Sequence, residues 1–253
     1  MRPILLLTND DGFFAPGIKA LAKELRGLAE AVIVAPDREK SATSLSLTLR
    51  RPLRVERIEK NTFAVDGTPA DCIYLAVRKL LPRPPRMIIS GINSGPNLGQ
   101  QDISYSGTVA AALQGTFLQI PSIAVSLIPE KDGTLDFAPG AKFVGRMAAR
   151  LLETGLPTGL TLNINIPPLP YRGVQITTLG ERRYEPEVVE KTDPRNRTYY
   201  WIGLGKIQRM GGERSDIRAA ERGFISITPL HTDRTDPKAL SSPALKKIVQ
   251  GLV

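Results

Sequence analysis

Short apolar runs alternate with segments of helical period along the first two-thirds of the chain. Residues 4–7 form a four-residue apolar run closed by Thr8-Asn9-Asp10-Asp11-Gly12, which reads as a buried strand and is too short for a leader. Residues 16–28 space Ile18, Leu21, Ala22 and Leu25 as one helix face, and residues 31–35 return as a second strand ended by Pro36-Asp37. This βαβ order predicts two parallel strands in one sheet. Residues 47–58 read as extended, and 63–65 as a further short strand. Thr68-Pro69-Ala70-Asp71 predicts a helix with Thr68 as N-cap and Asp71 at the third position, running to about Leu81 before Pro82. Strands over 87–90, 122–127 and 161–166 and helices over 108–117 and 137–154 continue the alternation, with a glycine-rich loop over 91–107.

The pattern changes after residue 180. Residues 180–223 are polar and strongly charged, carry Tyr199-Tyr200-Trp201, and lack the apolar period of a core element. They read as a projecting hairpin or arm, followed by a terminal strand over 224–230 and a short helix over 243–252. The expected organisation is a catalytic core over 1–180, an arm over 181–223, and a C-terminal strand and helix over 224–253.

Composition narrows the chemistry. The apolar fraction of 42% is that of a globular chain, and no apolar run approaches the ~20 residues that span a bilayer. A single cysteine, Cys72, excludes an intrachain disulfide and a thiolate metal cluster, which fits a reducing cytoplasm. Cys72 sits on an apolar helix face with Ile73 and Ala76 and reads as core. A single histidine, His231, lies beyond the last strand and reads as an exposed loop residue. Carboxylates, hydroxyls, amides and backbone N–H groups must therefore carry the chemistry. The net charge of +9 favours anionic partners, but the cations are spread along the chain, so nucleic acid is not the expected partner.

Three polar clusters fall where an open α/β sheet binds ligands, at the carboxyl ends of its strands. Asp10 and Asp11 are adjacent at the tip of a buried strand, beside Asn9. Two such carboxylates repel unless a cation offsets them, and a hard divalent ion with oxygen ligands suits them. Residues 36–44 add hydroxyls and cations, including Ser41. Residues 90–99 add amides and glycines, and Ser106-Gly107-Thr108 opens a helix whose N–H groups can hold a phosphate. Phosphate-loop, dinucleotide and nucleophile-elbow motifs are missing from the sequence.

The clusters, in this order, resemble the SurE family of stationary-phase-survival nucleotidases. The matching stretches are Leu6-Leu7-Thr8-Asn9-Asp10-Asp11-Gly12, Val34-Ala35-Pro36-Asp37-Arg38-Glu39-Lys40-Ser41, and Gly67-Thr68-Pro69-Ala70-Asp71-Cys72. They continue with Ser90-Gly91-Ile92-Asn93, Gly95-Pro96-Asn97-Leu98-Gly99 and Tyr105-Ser106-Gly107-Thr108-Val109. Leu162-Asn163-Ile164-Asn165-Ile166-Pro167 and Gly223-Phe224-Ile225-Ser226 carry the match to the C-terminal end. The resemblance implies a Rossmann-like, mostly parallel sheet flanked by helices, with a protruding C-terminal arm that joins subunits into a homodimer or tetramer. It implies a divalent-metal-dependent phosphomonoesterase acting on nucleoside monophosphates, a 5′-nucleotidase with possible 3′-nucleotidase and exopolyphosphatase activity.

The family's metal ligands fall on Asp10, Asp11, Ser41 and Asn93, holding one Mg²⁺ or Mn²⁺ per subunit. Asn9, Asn97, Ser106, Gly107 and Thr108 are then the substrate and phosphate contacts, with Asp10 and Asp11 also catalytic. Lys40 replaces a frequent arginine, and Gln100-Gln101-Asp102 is one residue longer than the common spacing. A nucleotide-binding module without turnover, a nucleic-acid-binding protein, and a phosphomonoesterase for other substrates stay open on the residues alone.

Overall fold

The computed structural model describes residues 2–250. Its centre is a nine-stranded sheet built from β1 (Ile4–Thr8), β2 (Glu30–Pro36), β3 (Val55–Glu59), β4 (Thr62–Val65), β5 (Met87–Ser94), β6 (Ser122–Leu127), β7 (Leu160–Ile166), β8 (Gly173–Ile176) and β11 (Phe224–His231). The order is β3-β4-β2-β1-β5-β6-β7-β11-β8, and every neighbouring pair from β4 through β7 is parallel. The expected mostly parallel α/β architecture is what the chain adopts. The last core strand, β11, runs antiparallel to β7 and parallel to β8.

Alternation in β1 divides the core in two. Leu5 and Leu7 face α1 (Pro16–Leu25) and α5 (Phe137–Thr154), packing with Ile18, Leu21 and Val144. Ile4 and Leu6 face the other layer, where α2 (Pro69–Leu75) and α4 (Gly107–Phe117) contribute Ile73 and Ala111. Both faces of the strand are covered, so β1 reads as an unbroken apolar run rather than an alternating one. Cys72 is fully buried in the second layer, as its neighbours predict. The capping box at Thr68 and Asp71 is present, and α2 continues through a π-helical turn over Ala76–Leu80.

Four expectations need correction. Within 47–58 only Val55–Glu59 is a strand, because side chains take up the backbone before it: Thr48 N–H donates to Asp71 and Arg54 N–H to Asp66. The loop expected over 91–107 is the end of β5 followed by α3 (Gly99–Tyr105). This short helix has no apolar period and is held by tertiary partners, described below. The region 180–223 is not all arm. Its hairpin, β9 (Glu181–Thr192) and β10 (Thr198–Met210), forms a separate two-stranded antiparallel sheet. It is followed by α6 (Asp216–Glu221), which buries Asp216, Ile217 and Ala219. The C-terminal helix is α8 (Pro243–Val249), after an unforeseen turn of helix, α7 (Pro237–Leu240). Its expected end at Leu252 lies outside the described residues.

Chain order reverses across β1: β2 leaves to one side and β5 to the other. That switch point opens a crevice at the carboxyl ends of β1 and β5. No helix among the described residues is long and apolar enough to cross a membrane.

Candidate active site

The crevice is a cleft of about 750 Å³ whose lining includes Asp10, Asp11, Ser41, Asn93, Asn97 and Ser106. Six sequence-predicted residues, from segments far apart in the chain, thus meet in one place. The loop after β1 supplies the carboxylates, the loop after β2 supplies Ser41, and β5 supplies Asn93. Asn97 precedes α3, and Ser106 caps α4.

Asp10 is only 5% exposed. Burial pushes its carboxyl up to about 6, opposed by the Thr108 hydroxyl and N–H bonds and reinforced by the charge of Asp11. The Thr108 hydroxyl donates a short hydrogen bond to Asp10 Oδ1. Gly107 must be small: a Cβ there would stand 2.8 Å from Asp10 Cβ and 2.9 Å from its Oδ2. The start of α4 is thus wrapped around Asp10. Burial also raises the Asp11 carboxyl, which receives the Ser94 N–H at 3.1 Å and feels the charge of Glu39.

The neutral donors are held from behind. Asn93 Nδ2 donates to the Gly95 carbonyl at 2.8 Å, which leaves its Oδ1 as an acceptor. Ser41 Oγ donates to Glu39 Oε1 at 2.7 Å and keeps its lone pairs. The Lys40 N–H reaches the Asp10 carbonyl at 2.7 Å, tying the second loop to the first. Two carboxylates, a hydroxyl and an amide oxygen make a set of hard oxygen donors that fits a divalent cation of the Mg²⁺ type. Among the described residues, no trio of His, Cys, Asp and Glu converges to offer another metal centre.

Asn97 is fixed by a network that the sequence reading did not assign. Its N–H donates to Asn165 Oδ1 at 2.8 Å, and its carbonyl accepts from Asn163 and Asn165 at 2.9 and 3.0 Å. Its own Nδ2 donates to Ser126 Oγ at 2.7 Å. Two asparagines at alternate positions of an apolar strand share one face, and buried amides demand partners. That signal was present in Leu162-Asn163-Ile164-Asn165-Ile166.

Other expected residues stand elsewhere. Asn9 turns back on Gly12, donating to its carbonyl at 2.9 Å and accepting its N–H at 3.1 Å, and it does not line the cleft. Gly107 and Thr108 lie behind Asp10 rather than on the cleft wall. His231 is exposed at the end of β11, and its Nδ1 accepts the Asp233 N–H at 2.9 Å. Tyr199-Tyr200-Trp201 do not line the cleft. Glu39, Tyr105, Tyr184 and Ile202 do, although none was singled out as a site residue. Glu39 stood in the polar cluster over 36–44 without a role of its own, and the two hairpin residues owe their place to long-range contacts.

The family model described as "Survival protein SurE" matches residues 5–186. The chain is 50% identical to "5′-nucleotidase SurE" of Geotalea uraniireducens over 246 residues, covering 96% of this chain and 98% of that one. It is 48% identical to "5′-nucleotidase SurE" of Geobacter sulfurreducens, covering 94% and 91%. Among solved structures, the SurE protein from Aquifex aeolicus superposes with a TM-score of 0.83 at 40% identity, covering 97% of this chain and all of that one.

Proposed function

The chain belongs to the SurE family, and from that membership and the cleft we propose that it is a divalent-metal-dependent 5′-nucleotidase. The observation that carries this reading is the convergence of Asp10, Asp11, Ser41 and Asn93 on one cleft, with the buried Asp10 carboxylate beside the half-buried Asp11. These four residues would hold one ion, Mg²⁺ or Mn²⁺. When bound, the ion would neutralise phosphoryl charge and make an attacking water more acidic.

The chain's own groups do the rest. Ser106 Oγ, which accepts the Val109 N–H at 3.1 Å, keeps its own proton to donate to a phosphoryl oxygen. Asn97 keeps a second amide N–H for the same purpose. Gly107 and Thr108 act through Asp10, holding its carboxylate in place. Water attacks phosphorus and gives up a proton, the ester P–O bond breaks, and the departing 5′-oxygen takes up a proton, so one water is divided between phosphate and nucleoside. We assign the attack to water rather than to an aspartate because both carboxylates serve as ligands. The exposed side chain of Trp201, on the hairpin face opposite that of Ile202, supports the hairpin's use as the contact between subunits of a homodimer or tetramer.

The test is phosphate release from a panel of nucleoside 5′-monophosphates with Mg²⁺, with Mn²⁺ and with EDTA. Metal-dependent release is expected, with Asp10→Asn and Asp11→Asn each lowering kcat by about 10²–10³-fold. Full metal-dependent activity in either variant would remove the assignment.

A further inference from the structure

The cleft is longer than a phosphate requires, and its far wall comes from the hairpin. Its lining includes the oxygen donors Asp10, Asp11, Ser41 and Asn93. It also includes Tyr105 from α3, Tyr184 from β9, and Ile202 and Gly203 from β10. Ile202 is 80% exposed and Tyr105 is 56% exposed, so two large apolar surfaces stand open in the same cavity as the oxygen donors.

The hairpin is built to reach there. Its register shifts between Gly203 and Lys206, which marks a bulge. Gly205 makes the bulge possible: its φ is +58°, and a Cβ would stand 1.7 Å from the Glu185 carbonyl oxygen. A bulge bends a strand and re-aims its side chains, and the residues just before this one are those that line the cleft.

Helix α3 fixes the hairpin against the site. Asp102 is buried and binds the Arg182 guanidinium through Oδ2 and the Tyr184 hydroxyl through Oδ1, the latter at 2.6 Å. Gln101 Oε1 accepts the Tyr184 N–H at 3.1 Å. The same helix also holds the loop carrying Ser41: Ser44 donates its N–H to the Tyr105 carbonyl at 3.0 Å and its hydroxyl to the Ser104 carbonyl at 2.8 Å. The hairpin wall and the phosphate end therefore share one support.

We infer that the β9–β10 hairpin is the nucleoside-recognition wall of this enzyme. Ile202 and Tyr105 offer apolar surface to the base, and Asp102 is the positioning residue that docks the hairpin. This rests on the nucleotidase reading. A nucleobase has flat apolar faces and needs such surfaces, whereas the phosphate needs the oxygen-rich end. Selection would come from apolar contact, so it discriminates a nucleoside monophosphate from a phosphomonoester that lacks a base.

The experiment compares kcat/KM for a nucleoside 5′-monophosphate and for glycerol 2-phosphate in the full-length wild type, Ile202→Ser and Tyr105→Ala. The ratio of the two values is expected to fall about tenfold in each variant, mainly through KM for the nucleotide, the scale of one lost base contact. Ile202 is exposed and Tyr105 half-exposed, so both variants should fold, and circular dichroism checks this. An active wild type whose ratio stays within about twofold in both variants overturns the hairpin wall and leaves the nucleotidase reading standing. A wild type that releases phosphate from neither ester overturns both.

Discussion

The cleft floor and the hairpin root each bring two carboxylates near one another, with different provision for their charge. At the root, Asp216 accepts N–H groups from Gly99, Gly180 and Ile217, each at 2.8 Å, although its pKa is still raised by burial and by Asp102. Asp102 accepts from Arg182, Tyr184 and the Leu98 N–H. At the floor, Asp10 has Thr108, Asp11 has Ser94, and the other charges that bear on the pair are negative. The carboxylates of the root are supplied with donors from the chain, and those of the floor are not. A carboxylate fully supplied with protein donors is an architectural part. One left with like charges around it is a place where a cation belongs.

The largest effect should come from breaking the root. Asp102→Ala would leave the Arg182 guanidinium, 12% exposed at its side chain, without its anionic partner. Removing one member of a buried ion pair costs about 3–5 kcal/mol. Urea unfolding should show a loss of that order. A loss below about 1 kcal/mol would mean that the root is as open to solvent as a surface pair, and the contrast between the two sites would disappear.

The floor should behave in the opposite sense. The folded-state pKa of Asp10 is about 6, above its ordinary value of 3.8. Between these values the folded protein binds more protons than the unfolded chain, so this group's contribution to stability falls as pH rises. Its penalty is complete above about pH 6 and amounts to at most about 3 kcal/mol. In EDTA, Asp10→Asn should therefore be more stable than wild type at pH 7.5, with the gap closing towards pH 4. Added Mg²⁺ or Mn²⁺ should stabilise wild type and leave the variant nearly unmoved. Equal stabilities of the two proteins in EDTA at pH 7.5 would show that the floor carries no unmet charge.

These contrasts explain which features were legible in the sequence. The inner strands of the sheet were readable because they are short apolar runs punctuated by Gly, Pro, Asn and Asp, and α5 because its apolar spacing spans 18 residues; the edge strand β8, half exposed, was not expected. The Asp10-Asp11 pair and the polar clusters at the ends of β2 and β5 were readable because each follows or ends a core strand, where the topology must bring them together; the family resemblance singled out Ser41 and Asn93 within them. Helix α3 was not, since its support comes from Asp216 and Arg182, some 80 to 117 residues away. Ile202 stands just before a bulge at Gly205, and the Gly203-Leu204-Gly205 stretch does not announce a strand's direction. Asn9 and Thr108 were the right residue types for a phosphate, but local geometry turns one onto Gly12 and the other onto Asp10.

Ser106 tests the comparison at its finest, because it has an architectural role and a proposed chemical one. Its Oγ caps α4 by accepting the Val109 N–H, and its hydroxyl proton is available to the cleft. The two roles separate in a pair of variants. Ser106→Ala loses the cap and should cost about 1 kcal/mol of stability, whereas Ser106→Gly should cost only a few tenths. The phosphate contact is lost equally in both, so kcat/KM for a nucleoside 5′-monophosphate should fall by a similar factor, about 10–10²-fold for one hydrogen bond to an anionic oxygen of about 1.5–3 kcal/mol. Activity that instead follows stability, with Ser106→Gly near wild type, would make Ser106 a cap alone and move it from the cleft's chemistry to its scaffold.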